Sequence, residues 1–278
     1  MIVLILVFGL ILRLVSLNQS LWLDEATSAL VAKMSVGDIF TKFLPGDFHP
    51  PLYYLVLKYW SSLFGYSEVS LRIPSVIFGV ATVYLIYLIA IKVFNKQMAL
   101  MAAVLMTTSG LAIYYSQEAR MYPLAAFLVT ILVYFFLQKK WIGFSIVLAM
   151  LAMTDYVSLF VLPVFWIVGK KEWKKLFLSH VPMVVIFAVW FPIFYKQLFG
   201  GLSQQGSSWW NILGNTSFKN IALIPIKFIF GRVRLITNSF MEVLSCLRFY
   251  YLVTYFLKLE KRLIFYGLGL SFQSWWEF

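Results

Sequence analysis

Long apolar runs separated by short polar segments make up most of this chain. The runs lie at residues 2–17, 69–94, 98–116, 121–137, 141–153, 157–168 and 181–199. Several approach the length of about 20 residues that a helix needs to cross a bilayer, and shorter runs can form short or tilted spans. None alternates with the period of two that marks a membrane β-barrel. The pattern predicts an all-α, polytopic membrane protein with about seven to nine spans.

Composition agrees with a membrane protein and excludes several other classes. The chain is 62% hydrophobic and 12% charged, with a mean hydropathy of +0.86, which excludes a soluble globular domain. The net charge of +12 does not indicate nucleic-acid binding, because Lys and Arg occur in short clusters between apolar runs. Cys246 is the one cysteine, so internal disulfides and cysteine metal clusters are excluded.

The basic clusters predict the orientation of the chain in the membrane. Two crossings separate one basic cluster from the next, so all three clusters fit on the cytoplasmic side. These clusters are Lys92/Lys96, Lys139/Lys140 and Lys170–Lys175. The segments expected outside are residues 18–67, the region of Glu118, Asp155 and residues 200–220. We therefore expect a multi-pass protein of the plasma (cytoplasmic) membrane with an extracytoplasmic polar face. The apolar N-terminus has no cleavage signal, which favours an uncleaved first helix.

Two regions of different character are predicted. Residues 1–200 form the membrane module, whose first outer loop, 18–67, is too polar to span yet rich in aromatic residues. We interpret that loop as amphipathic helices lying in the membrane interface. Residues 201–278 are expected to form an outer loop followed by membrane segments, and the scattered basic residues do not define how many times these segments cross the membrane.

Adjacent carboxylates at the membrane edge are the main candidate for chemistry. Asp24 and Glu25 follow the first apolar run within the sequence Leu-Trp-Leu-Asp-Glu-Ala. Acidic groups beside lipid are costly and are often functional, and a carboxylate there can act as a general base toward a hydroxyl. The structural alternative is helix capping, with Asp24 or Ser20 as the N-cap and acids in the first turn.

A second motif is His49-Pro50-Pro51-Leu52-Tyr53-Tyr54. Its prolines can simply begin a helix, because proline is tolerated in the first helical turn. The functional alternative is that His49 binds a phosphate or a metal, or orients a substrate.

Two arginines are candidates for binding phosphate. Arg120 lies in the segment Tyr114–Pro123 with Glu118 and Tyr122, and Arg72 begins the second long run on the same predicted side. A planar guanidinium suits bidentate contact with phosphate oxygens. On a helix Glu118 and Tyr122 would share a face, whereas Glu118 and Arg120 would not. The structural alternative is an interfacial turn held in an aromatic belt.

Together, these motifs resemble those of the GT-C membrane glycosyltransferases, most closely the protein-mannosyltransferase-like group, family 39. The resemblance covers roughly residues 1–200 and includes Ser70-Leu71-Arg72-Ile73-Pro74-Ser75 as well as the three motifs above. In that group a Gly-Lys pair usually follows the leucine of the His-Pro-Pro segment, whereas Tyr53-Tyr54 follows it here.

The resemblance implies an inverting transfer from a polyprenyl-phosphate-sugar donor to a hydroxyl on a protein, lipid or polysaccharide acceptor. It implies Asp24 as the catalytic base, with Glu25 beside it. Substrate contacts are expected from His49, Arg72, Glu118, Arg120 and Tyr122. This chemistry requires no metal, although Glu25, His49 or Glu118 could bind a divalent ion. The chain has no glycine-rich nucleotide-binding motif, in keeping with a donor that is already in the membrane.

The main alternative is a polytopic transporter or lipid flippase that uses the outer acids as an ion or substrate site, and a non-catalytic scaffold subunit is a third. Transporters often contain repeated halves and polar sites near the midplane. Here no repeat is visible and the acids cluster at one face, which favours the enzyme.

Overall fold

The computed structural model describes residues 1–203, with side chains to residue 200, and those residues are helical and contain no strand. By backbone contacts, residues 1–108 and 112–203 belong to one compact unit. The helices of the described part are α1 (Ile2–Leu14), α2 (Leu23–Lys33), α3 (Val36–Asp38), α4 (Leu52–Phe64), α5 (Glu68–Val93), α6 (Lys96–Thr107), α7 (Gly110–Ser116), α8 (Tyr122–Leu137), α9 (Trp141–Ala152), α10 (Leu162–Val168), α11 (Trp173–Ser179) and α12 (Val181–Ser203). The all-α class is therefore confirmed, while the predicted region 201–278 lies almost entirely outside the described residues.

The apolar runs become the helices expected from them. Within the described part, α5 and α12 are long and apolar enough to cross a membrane, and α6 with α7 would make a third span despite a 58° bend between them. The shorter apolar helices are α1, α8, α9 and the segment Val157–Val168, which begins as a 3-10 turn. The predicted span 98–116 is thus broken in the middle, which periodicity did not reveal.

The first loop is folded, as the sequence predicts. It contains α2, α3 and α4, with a π-helical turn at Ile39–Phe43 and a 3-10 turn at Leu44–Gly46 between the last two. One face of α4 is buried, through Tyr53, Tyr54 and Leu57. These side chains continue the core formed by α8 and α9, so the loop is packed onto the helix bundle.

Arg13 explains how the third span can break inside the bundle. A helix end leaves carbonyls without partners, which is costly away from water. The Arg13 guanidinium, fully buried, donates to the carbonyls of Met106 and Thr107 at the end of α6, at 3.4 and 3.3 Å. It also donates to the Ser116 hydroxyl, at the end of α7, at 3.2 Å. Gly79 makes room, since a Cβ there would collide with the Ser116 hydroxyl.

Replacing Arg13 should therefore destabilise the bundle. Arg13→Met leaves the α6 carbonyls unpaired, at a cost of about 1–3 kcal/mol for each buried group. Arg13→Lys keeps a charge but has fewer donors, so we expect an intermediate loss. In detergent, the melting temperature should fall from wild type to Arg13→Lys to Arg13→Met. If Arg13→Met were as stable as wild type, the break would not depend on Arg13.

The two ends of the bundle differ in chemistry. At one end Lys92 donates to the Gln138 side chain at 2.6 Å, and Glu172 pairs with Lys139 at 3.0 Å and Lys175 at 3.1 Å. At the other end the first loop meets the turn after α9, where the Leu52 amide donates to the Met153 carbonyl at 2.8 Å. The basic clusters thus come together at one end, as the sequence predicts.

This grouping gives a topology prediction. A reporter fused after Asp47 and one fused after Lys140 should lie on opposite sides of the membrane, with the Lys140 fusion cytoplasmic. Paired phosphatase and fluorescent-protein fusions measure this directly. If both fusions reported the same side, the loop and the basic clusters could not lie at opposite ends.

Candidate functional site

Glu25 is the buried centre of the site. Helix α2 begins after Trp22, so Trp22 is the N-cap, and neither Asp24 nor Ser20 takes the capping position considered from sequence. The Glu25 carboxylate is fully buried and accepts hydrogen bonds from the Trp22 amide at 3.3 Å and the Ala119 amide at 2.8 Å. It therefore ties the start of α2 to the turn that carries Arg120.

Arg72 completes this arrangement. Its Nε and Nη2 donate to the two Glu25 oxygens at 2.8 and 2.5 Å, a bidentate pair. The other donors reach the carbonyls of Leu17, Gln19 and Ser20 at 2.7, 2.7 and 3.3 Å. A guanidinium has five N–H donors, and here each has an internal acceptor. Arg72 therefore holds the chain in place, and a phosphate could reach it only by displacing these partners.

Asp24 occupies a different environment from its neighbour. Successive residues of a helix point about 100° apart, so burial of Glu25 turns Asp24 outward. The Asp24 side chain is 38% exposed, and its Oδ2 lies 3.4 Å from Nη2 of Arg120. Arg120 itself is only 6% exposed. Its Nε is buried and has no hydrogen-bond partner among the described residues. The pair therefore offers an accessible carboxylate beside a guanidinium with a free donor.

Arg120 is carried by a turn between two helices. Helix α7 ends at Ser116 and α8 begins at Tyr122, so Glu118 and Tyr122 do not share a helix face, contrary to the helical interpretation. The Arg120 amide donates to the Glu118 carbonyl at 2.9 Å, which tightens the turn. The Arg120 guanidinium lies 5.7 Å from the ring centre of Tyr122, in a cation–π contact. Glu118, in the same turn, is also buried.

His49 belongs to a neighbouring cluster. Its Nδ1 lies 3.4 Å from Oδ2 of Asp47, which also accepts a 2.7 Å hydrogen bond from the Tyr54 hydroxyl. Burial opposes ionisation of Asp47, but His49 and Tyr54 outweigh it and hold the pKa of Asp47 below its usual value. Burial, reinforced by Asp47, raises the pKa of the Tyr54 phenol well above its usual value. Arg120 is near enough to Tyr54 to act against that shift, so the two clusters adjoin.

Gln197 holds the His49 cluster from a distant part of the chain. The Gln197 amide donates to the carbonyls of Leu44 at 2.7 Å and His49 at 3.1 Å. Its own oxygen accepts from the Tyr156 hydroxyl at 2.7 Å, which in turn accepts from the Trp190 indole at 2.6 Å. Gln197, Tyr156 and Trp190 were not among the candidates predicted from the sequence. The sequence signal that could have indicated Gln197 is its polar amide side chain within the apolar run 181–199.

The described residues contain no group of three or more His, Cys, Asp or Glu side chains arranged to hold a metal ion. Asp155, expected outside, caps a turn by accepting from the Ser158 amide at 2.9 Å. The described part of the chain thus brings Asp24, Arg120 and Tyr122 together at one place. Glu25 and Arg72 lie buried beside them, and His49 adjoins through Tyr54 and Asp47.

These helices define a polytopic membrane fold of the GT-C type. Residues 48–197, more than half of the chain, match the family of dolichyl-phosphate-mannose-protein mannosyltransferases, and the chain belongs to that family. Its fold resembles the Saccharomyces cerevisiae protein O-mannosyltransferase Pmt1-Pmt2 complex bound to the sugar donor, with a TM-score of 0.53 and 19% identity. The match covers 72% of this chain and 33% of the yeast chain. A comparison with curated protein sequences finds no significant match.

The Glu25–Arg72 pair predicts a stability effect that is separate from catalysis. Glu25→Gln leaves a buried guanidinium without its charge partner, and loss of one member of a buried pair costs about 3–5 kcal/mol. We expect Glu25→Gln and Arg72→Gln each to lower the melting temperature and the yield of folded protein.

The double variant Glu25→Gln/Arg72→Gln should lose less stability than the sum of the losses in the two single variants, because no buried charge remains unpaired. Glu172→Gln, which removes the two surface pairs with Lys139 and Lys175 at the other end, is the matched control and should be nearly neutral. Additive losses in the double variant would mean that the two side chains act independently.

Proposed function

We propose that this protein is a membrane glycosyltransferase that moves a sugar from a polyprenyl-phosphate-linked donor to a hydroxyl acceptor. The observation that carries this proposal is the pairing of an accessible Asp24 carboxylate with the buried Arg120 guanidinium. Membership in a family of lipid-phosphate-sugar-dependent transferases supports the same donor class. The acceptor belongs to a protein, a lipid or a polysaccharide.

Arg120 is the proposed phosphate ligand. Its Nε has no hydrogen-bond partner within residues 1–200, whereas each donor of Arg72 has an internal acceptor. The charge of Arg120 would stabilise the phosphate as it becomes a leaving group. Tyr122, under the guanidinium, restricts its orientation.

Asp24 is the proposed general base. It accepts the proton of the acceptor hydroxyl while that oxygen attacks the anomeric carbon from the face opposite the phosphate. The bond between the anomeric carbon and the phosphate oxygen breaks, and the polyprenyl phosphate leaves as an anion. One bond forms as one breaks, so the configuration inverts. The leaving phosphate needs no strong general acid, and no step requires a metal.

The sidedness follows from the basic clusters at the opposite end of the bundle. With these clusters in the cytoplasm, Asp24 and the first loop face the extracytoplasmic side. The proposed location of the protein is the plasma membrane. His49, beside Tyr54 and Asp47, is proposed to orient the substrate, and Glu118 to support the turn that carries Arg120. A nucleotide-activated donor is not needed in this scheme.

Asp24→Asn tests the proposed base. The amide keeps the size of the side chain but accepts no proton, so the transfer rate should fall about 10²–10⁴-fold. The measurement is transfer of labelled sugar from a synthetic polyprenyl-phosphate sugar by purified protein in vesicles. Donor binding and the melting temperature should stay close to wild type.

Asp38→Asn is the matched control, because Asp38 lies in the same loop but pairs on the surface with Lys42. It should transfer sugar at the normal rate. Arg120→Lys loses the planar fork and should raise the KM for the donor. Full activity of Asp24→Asn would place the base elsewhere, and donor flux through vesicles without transfer would favour a flippase.

A further inference from the structure

The end of the bundle opposite Asp24 carries a dense set of lysines. It gathers side chains from three separate segments of the chain, linked by the Lys92–Gln138 hydrogen bond and the Lys139–Glu172–Lys175 pairs. The lysines of these segments are Lys92, Lys96, Lys139, Lys140, Lys170, Lys171, Lys174 and Lys175. Glu172 is the one carboxylate that the same segments contain, so most of this positive charge is not neutralised locally.

Six of these lysines have no ion pair within the described residues, and three of the six lie close together in the chain. Glu172 is shared by Lys139 and Lys175, whereas Lys170, Lys171 and Lys174 are exposed and contact no carboxylate in that part of the chain. They follow one another along the turn at Lys170–Glu172 and the first turn of α11. Their charges therefore point to an anionic partner.

Apolar side chains surround these lysines. Trp173, Phe177 and Leu178 are 54%, 59% and 65% exposed, while Leu176 is fully buried against the bundle. The Ser145 hydroxyl on α9 donates to the Ser179 carbonyl at 2.7 Å, which fixes α11 in place. An exposed tryptophan next to lysines is typical of the headgroup region of a bilayer. The segment also joins two apolar helices, α10 and α12, at their ends.

We propose that Lys170, Lys171 and Lys174, together with Trp173, bind the headgroups of anionic phospholipids in the leaflet facing this end. The lysines supply charge to the lipid phosphates, and Trp173 and Phe177 insert among the upper acyl carbons. The Lys174 ammonium lies 5.7 Å from the Trp173 ring centre, so the charge and the ring are close enough to contact the same lipid. Binding of this kind is favourable because each basic residue near an anionic surface contributes to it. The proposal does not depend on the transferase activity.

The test uses the full chain in neutral detergent, titrated with phosphatidylglycerol or phosphatidylcholine and followed by native mass spectrometry. Wild type should retain phosphatidylglycerol in preference to phosphatidylcholine. Lys170→Gln/Lys171→Gln should bind phosphatidylglycerol roughly 25-fold more weakly, about fivefold for each lysine. Lys170→Arg/Lys171→Arg, which keeps the charge, should bind like wild type.

Lys33→Gln/Lys42→Gln removes two exposed lysines from the first loop and is the matched control, which should leave the affinity unchanged. Equal phosphatidylglycerol affinity in wild type and Lys170→Gln/Lys171→Gln would overturn the proposal. Competition by millimolar inorganic phosphate as effective as by the lipid would also overturn it, in favour of a site for soluble anions. A melting curve on each variant confirms that the folded protein is compared.

Discussion

The buried ion pair between Glu25 and Arg72 is the interaction on which the candidate site depends. Removing two charges from water is expensive, and the cost is recovered only when each charged atom finds a partner. Here both Glu25 oxygens and every Arg72 donor are engaged, and the acceptors and donors come from the segment after α1, from α2, from α5 and from the turn before α8. Because these segments are distant in sequence, the pair sets the position of Asp24 relative to Arg120.

A second constraint supports the same turn from inside the bundle. Arg13 binds the carbonyls left free where α6 ends and also the Ser116 hydroxyl. The Gln117 amide donates to the carbonyls of Leu12 and Val15 at 3.2 and 2.9 Å, which joins the end of α1 to the start of the turn. The first helix therefore contributes to the site without supplying a residue that faces it. The ends of α1 and α6, whose free carbonyls would be costly in lipid, thus help to position the turn bearing Arg120.

The sequence predicts the helices better than it predicts the division of roles among the polar residues. Apolar runs mark the helix boundaries within a few residues, because the bilayer sets their length and the intervening lysines mark their ends. The break between α6 and α7 was missed, since its carbonyls are satisfied by Arg13, far away in the chain. Likewise no local pattern reveals that Gln197 holds His49, or that Arg72 has all its donors occupied. Such long-range pairings decide which of several similar residues is accessible and which is structural.

The adjacent carboxylates show how environment separates two chemically similar groups. Glu25 is buried and fully hydrogen-bonded, so it cannot reach an acceptor hydroxyl without breaking the pair that holds the site together. Asp24 is accessible and contacts Arg120 at a single, longer distance. In the proposed mechanism, the donor phosphate would pair with the Arg120 guanidinium in place of Asp24. The Asp24 carboxylate would then be available to the acceptor hydroxyl. Donor binding would then prepare the base, so the acceptor would be activated only when a sugar is in place to receive its attack.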